Sequence, residues 1–297
     1  MPHLDIGELV LFSIALVAAA VNGAIGYGFS SLTVPVALLY FPNRMLAPAL
    51  VMIELAINAS VVYLNRASFF AARRRAAPIL LGLGPGILIG SLMLSRVDSA
   101  ALKACTYAVL LPIVLLQTGG FRRPIQAETT AGFMLGAGVG ALYATTTISG
   151  PPLAMMLKNQ GLEKEHFRGT IGLVRVAETT LTAISYGWLG LYSAASFHLL
   201  LFIAPAVLIG LPLGAFIIRF MPVETFRRIC MSFDAWVIGF GLARAIIRLD
   251  LLRPRNAYGL WIGIILFDLC LLVRYFAARR AAAPESETFL YRKIVNE

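Results

Sequence analysis

Charge is scarce in this chain: 13% of its 297 residues are Asp, Glu, Lys or Arg, against 59% hydrophobic. A folded protein must cover its surface with polar groups to stay in water, so this composition excludes a soluble globular domain. Histidine and cysteine are scarcer still, at three each. Cys105, Cys230 and Cys270 lie in or at the ends of apolar runs with no CxxC or His/Cys spacing, which leaves a metal or redox centre without ligands and marks them as packing residues. No H-x-x-x-H or DxxD cluster, no acidic pair in a loop and no glycine-rich loop after a soluble strand is found. The expectation is therefore a protein that is not an enzyme and holds no cofactor or metal. Lys and Arg are missing from the first 43 residues, which removes the basic start of a secretory signal and leaves the first segment as structure.

What is present is apolar sequence, with a mean hydropathy of +0.81. Runs at 45–65, 76–95, 101–118, 167–187, 197–218, 229–243 and 257–273 approach the ~20 residues that a bilayer-spanning helix needs. The chain is expected to be an all-α polytopic membrane protein. Its net charge of +10 is then a topology signal in short loops, and nucleic acid is not an expected partner.

Two further stretches, 9–41 and 130–157, are too long for one crossing. The first is interrupted by Asn22-Gly23-Ala24-Ile25-Gly26-Tyr27-Gly28-Phe29-Ser30-Ser31, followed by Thr33 and Pro35. The second carries Gly136-Ala137-Gly138-Val139-Gly140, then Thr145-Thr146-Thr147-Ile148-Ser149-Gly150 before Pro151-Pro152. Matching breaks in two halves of a membrane protein point to a transporter's binding site. Beyond them the halves continue in parallel, with Gly90 to Arg96 laid over Gly214 to Phe220. This predicts a first membrane repeat at 1–118, a cytoplasmic linker at 119–128 and a second repeat at 129–247. A loop and an extra helix at 248–276 and a polar cytoplasmic tail at 277–297 follow.

Positively charged loops face the cytoplasm, which decides whether the repeats are parallel or inverted. If each broken segment enters and returns as a hairpin, Arg66, Arg73 to Arg75, Arg122, Arg123, Lys158, Lys164, Arg168, Arg219, Arg227, Arg228 and the tail cations all lie inside. A single crossing puts the majority outside. The expected fold is thus two inverted repeats, each a broken, re-entrant-like hairpin plus three transmembrane helices, with the N-terminus outside and the C-terminus cytoplasmic. One loop departs from the pattern: Arg244, Arg248, Arg253 and Arg255 fall outside, with Asp250 offsetting one of them.

A break in a buried helix exposes backbone N–H groups and a positive dipole end, which suit an anion. Asn22, Gly26, Tyr27, Gly28, Ser30 and Ser31 from the first break, and Thr145, Thr146, Thr147 and Ser149 from the second, are the candidate substrate-binding residues. Pro35 and Pro152 can each start a second half-helix. The competing reading has these hydroxyls bonding their own helix carbonyls. An isolated glycine such as Gly82 or Gly263 reads as a packing residue. Ionisable side chains in apolar runs are costly and function-leaning. Arg175 is the candidate for the substrate's negative charge, and Glu54 and Glu178 are candidates for coupling or gating. Arg175 and Glu178, one turn apart, also suit a plain structural pair. Glu54 overlays either of them, depending on register. Asp234 and Asp268 are weaker candidates, and His198 reads as interfacial.

The glycine-rich break leading to Pro35, its counterpart ending in Gly150-Pro151-Pro152, and the duplicated plan over 8–247 resemble the TauE/SafE family, also called the sulfite exporter or toluene sulfonate uptake permease family. The first motif departs from the family's glycine-richer form at Tyr27, Phe29 and Ser30, and the helix at 257–273 is an addition. The resemblance implies a permease that moves sulfite, a sulfonate or another small organosulfur or organic anion across the bacterial inner membrane; the leading reading of the residues adds a link to protons or another ion. Its partners are then a small anion and the lipid bilayer. An anion channel and a non-transporting assembly protein remain the alternatives.

Overall fold

Lipid contact, not water, explains where the apolar side chains of this molecule point. In the computed structural model, Leu81, Leu201, Leu208 and Val273 are all about two-thirds exposed or more, while Glu54, Arg175 and Glu178 are buried. Apolar side chains on the outer face, with the ionisable groups enclosed, are what a bilayer requires. The structure describes residues 5–25, 28–64, 66–118, 128–150, 152–153, 157, 164–217 and 223–295.

Ten helices and no strand are found among the described residues: α1 (Ile6–Ile25), α2 (Phe29–Ala37), α3 (Asn43–Leu64), α4 (Arg66–Arg96), α5 (Ser99–Thr118), α6 (Glu128–Thr146), α7 (Lys164–Trp188), α8 (Ala194–Ile217), α9 (Val223–Arg248) and α10 (Pro254–Val295). The all-helical expectation holds. Five helices are long and apolar enough to cross a membrane, over Ile6–Ala24, Ala76–Arg96, Ser99–Leu116, Ala194–Ile217 and Pro254–Ala277. The other long helices carry more polar sequence, and two of them, α3 and α7, hold the buried Glu54, Arg175 and Glu178. Helix α10 runs on through residues assigned to a polar tail.

The halves of the chain are interleaved. Helix α1 packs chiefly on α8, α4 on α6, α3 on α7 and α5 on α9. Small residues every fourth position make the two closest pairings. On α4, Gly82, Gly86 and Gly90 face Phe133, Ala137 and Ala141 of α6, and in return Gly136 faces Ile79 and Gly140 faces Leu83. On α8, Gly210 and Gly214 face Leu16 and Ala20 of α1, and Gly23 faces Leu211. A Cβ at Gly210 would sit 2.6 Å from the Leu16 carbonyl oxygen, so only glycine permits that backbone approach. Gly82 is the packing residue it was expected to be. Gly23, Gly136 and Gly140 are packing residues too, which corrects their assignment to the breaks: α1 and α6 run unbroken through them.

The breaks lie further along. The first falls between α1 and α2, where Gly28 at φ 107° caps α2 without a side-chain hydrogen bond. The second falls at Thr147, whose φ of 59° is unusual for a β-branched residue. Helical backbone resumes at Gly150. Pro35 does not start a half-helix, because it sits seventh in α2, where helix has already formed. Pro152 lies in the first turn after the second break, where its missing N–H costs no bond.

Polar contacts fasten the remaining pieces. Arg44 donates to the carbonyls of Leu94, Ser95 and Val97 at the end of α4. Asp98 accepts from the backbone N–H groups of Ala100 and Ala101, which hold its carboxyl below the usual range. On α10, Asp268 accepts from the Trp236 indole at 3.0 Å and Trp261 donates to the Trp236 carbonyl. Asp268 thus anchors the extra helix, and Asp234, also buried, lies on the neighbouring α9. His198 pairs with Glu8 at 2.7 Å on an exposed helix end, as an interfacial residue does. Cys105 and Cys270 are exposed free thiols on outer helix faces, so they do not serve as core packing residues.

Candidate functional site

The first half-helix α2 is buried along nearly its whole length. Two side chains four residues apart on α5 hold its far end: Tyr107 donates to the Pro35 carbonyl at 3.0 Å and Lys103 to the Leu38 carbonyl at 2.5 Å. These bonds satisfy carbonyls that a short helix leaves unpaired, and the cation complements the helix dipole. The second break is held in a comparable way, by Tyr186 of α7 donating to the Ala144 carbonyl at 2.7 Å. Strong, buried anchors on both sides mean that the breaks are fixed pieces of architecture.

Where the candidate hydroxyls point divides them into two groups. Ser31 donates to the Gly28 carbonyl, Thr33 to Phe29, Thr145 to Ala141 and Leu142, Thr146 to Leu142, and Thr147 to Thr146. For these residues the local reading holds: each hydroxyl bonds a carbonyl of its own segment. Ser30 and Ser149 behave otherwise. Ser30 donates to Oε1 of Glu54 on α3 at 2.7 Å, and Ser149 donates to Oε2 of Glu178 on α7 at 2.5 Å. One serine from each break therefore reaches a carboxyl on the next long helix.

Arg175 joins the first of these pairs. Its Nη2 lies 3.1 Å from Glu54 Oε1, in a contact between the two halves of the chain. The structural pair along one helix, Arg175 with Glu178, does not form. Glu54 is well provided for, since its second oxygen accepts the Tyr143 hydroxyl at 2.7 Å. Its neighbours are not. Arg175 Nε and Glu178 Oε1 are buried without a partner. An unpaired buried donor or acceptor costs about 1–3 kcal/mol, so such atoms are seldom left without a use.

The spacing from Glu54 to Glu178 equals that from Gly90 to Gly214, so a register that lays the two glycines over one another also overlays the two glutamates. In that register Val51 stands opposite Arg175. Arg175 and Tyr143 thus both attach to Glu54 alone, beside the two comparable pairs of Ser30 with Glu54 and Ser149 with Glu178. Asn22 is buried one turn before the first break, with its side-chain oxygen unpartnered. Gly28 forms the first break itself, while Gly26 and Tyr27 lie outside the described residues. Thr145, Thr146 and Thr147 line a tight crevice, closed to water in this state, with Leu38, Asn43 and Leu50.

Tyr143 and Asn43 are the residues that sequence reading missed. Tyr143 sits inside an apolar run, and a buried hydroxyl in such a run was the available signal. Asn43 donates to the Thr145 carbonyl at 3.2 Å, which ties the start of α3 to the second break. No group of metal-ligating side chains able to hold an ion occurs among the described residues.

Lipid-facing helices around two discontinuous segments that enclose buried charges define an integral membrane protein built like a secondary transporter. The family model for the sulfite exporter TauE/SafE matches residues 11–240. The chain belongs to that family, and it is a membrane transporter, not an enzyme. No curated protein and no solved structure matched the chain.

Proposed function

We propose that the protein is a proton-linked permease for a small oxyanion, sulfite or an organic sulfonate, in the bacterial inner membrane. The observation that carries this reading is the matched pair of Ser30 with Glu54 and Ser149 with Glu178, closed on one side by Arg175. The substrate's negative group takes the donors of Arg175 that Glu54 leaves free, together with N–H groups of the interrupted backbone at Gly28, Ser30 and Ser31. Tyr27 and Asn22 contribute from the same break, and Thr145 to Thr147 shape the opposing wall. Glu178 carries the coupling proton, and Glu54 holds Arg175 in place between turnovers.

The same reading takes 1–118 and 129–247 as inverted repeats joined by a cytoplasmic linker at 119–128, with the N-terminus outside and the tail 277–297 inside. The exchange of partners supports it, because α1 on α8 and α4 on α6 are the same pairing when the halves are swapped. Single cysteines at Arg73 and Gly190, in a variant cleared of the three native cysteines, are expected to label from opposite sides of the membrane. Labelling from one side would overturn the inverted plan.

Transport itself is tested in proteoliposomes with labelled sulfite, thiosulfate, taurine and non-sulfur carboxylates. The expected result is saturable uptake of a sulfur oxyanion that accelerates when the same anion is loaded on the opposite side. Flux that never saturates and shows no counterflow would mean an anion channel, and no flux of any of these would overturn the reading.

A further inference from the structure

Two of the four arginines that break the charge pattern, Arg244 and Arg248, line a recess at one end of the molecule. Leu38, Leu39, Ala100, Lys103, Tyr107, Gly241, Arg244, Ala245 and Arg248 line an open recess between the end of α2, the start of α5 and the end of α9. Three cations and no carboxylate line it. Arg244 and Arg248 share the lining of this recess with Lys103. None of the three forms a salt bridge with a carboxylate among the described residues, and the Arg244 guanidinium lies 5.9 Å from the centre of the Phe240 ring.

Arg44 provides the contrast. It lies near the same end, yet its guanidinium is spent on three carbonyls of one helix terminus. Lys103 spends one N–H on the Leu38 carbonyl and keeps its others for the recess. Like charges gathered around a concave surface raise the local concentration of an anion, and desolvated walls strengthen the effect. The floor is also prepared: Gly241 lets the hydroxyl end of the Tyr107 ring come close to the α9 backbone, where a Cβ would collide with it.

We propose that Lys103, Arg244 and Arg248 form an anion-binding site, separate from the central one, for a tetrahedral oxyanion group. Leu38 lines both this recess and the cleft at Thr145 to Thr147, so its side chain divides a loading station from the interior. The group bound is either the free substrate anion on its way inward or the headgroup of an anionic lipid. The site depends on neither Arg175 nor the proton coupling, so its failure leaves the central reading intact.

Lys103 supplies a local readout. The full chain is placed in phosphatidylcholine nanodiscs, and acylation of Lys103 by an amine-reactive reagent is followed by peptide mass spectrometry, with and without sodium sulfate at constant ionic strength. Sulfate at ten times its dissociation constant is expected to slow the reaction about tenfold. Arg244→Gln/Arg248→Gln removes that protection, while Arg253→Gln/Arg255→Gln, outside the recess, keeps it. Protection by phosphatidylglycerol nanodiscs without sulfate assigns the site to a lipid headgroup and equally supports it. No protection by either probe, or equal protection in the Arg244→Gln/Arg248→Gln variant, would overturn the proposal.

Discussion

Replacing Arg175 by glutamine is expected to abolish saturable transport. The side chain is buried and supplies the positive charge opposite two carboxyls, so a bound anion loses its principal counter-charge. Truncating one member of a buried, hydrogen-bonded charge pair costs about 3 kcal/mol, or roughly a hundredfold in affinity. The same change leaves Glu54 without its cation, and an orphaned buried charge destabilises a fold by ~3–5 kcal/mol. Loss of transport from that variant alone would therefore be ambiguous. The double variant Arg175→Gln/Glu54→Gln resolves it, because two neutral amides restore hydrogen bonding without a buried charge. We expect the double variant to recover the thermal stability of the native protein in detergent while transport stays absent. Wild-type kinetics in it would remove Arg175 from the substrate site.

Glu178→Gln is expected to uncouple transport from the proton gradient. Gln keeps an acceptor for Ser149 and nearly the same volume, so packing around this fully buried position is retained. What it lacks is a proton that can leave and return. Net uptake driven by an imposed pH gradient should fall about tenfold or more, equivalent to a barrier increase of ~1.4 kcal/mol. Counterflow of labelled against unlabelled anion, which needs no net proton movement, should persist. If gradient-driven uptake survives in Glu178→Gln and is lost in Glu54→Gln, the two carboxyls exchange roles. Survival in both variants would exclude proton coupling through this site.

Much of this was legible beforehand, for identifiable reasons. Length and apolarity revealed the over-long segments, since a bilayer sets a fixed helix length. The expense of charge in hydrocarbon singled out Glu54, Arg175 and Glu178, and all three are buried at the centre of the helix contacts. The glycines were harder. Gly23 and Gly140 on one side, and Gly28 on the other, look alike in a linear string, yet the former permit a neighbouring backbone to approach while Gly28 takes a left-handed conformation at the first break. Chemistry within reach along the chain cannot distinguish these uses, because the neighbour that imposes close approach is remote in sequence.

The hydroxyls divide for the same reason. A serine or threonine near a helix end always has a local carbonyl available, and Thr33, Thr145 and Thr146 take it. Ser30 and Ser149 do not, because α3 and α7 bring carboxyls to them across more than twenty residues of chain. By itself, then, the sequence determined the solvent, the helical class, the approximate places where two helices break and the residues too costly to bury without purpose. Only the tertiary structure decided the partners: Arg175 with Glu54 instead of Glu178, Tyr143 as a further ligand of Glu54, and Lys103 beside Arg244 and Arg248. Helix propensity and hydropathy act over one or two turns, whereas a hydrogen bond or an ion pair depends on which helix packs alongside.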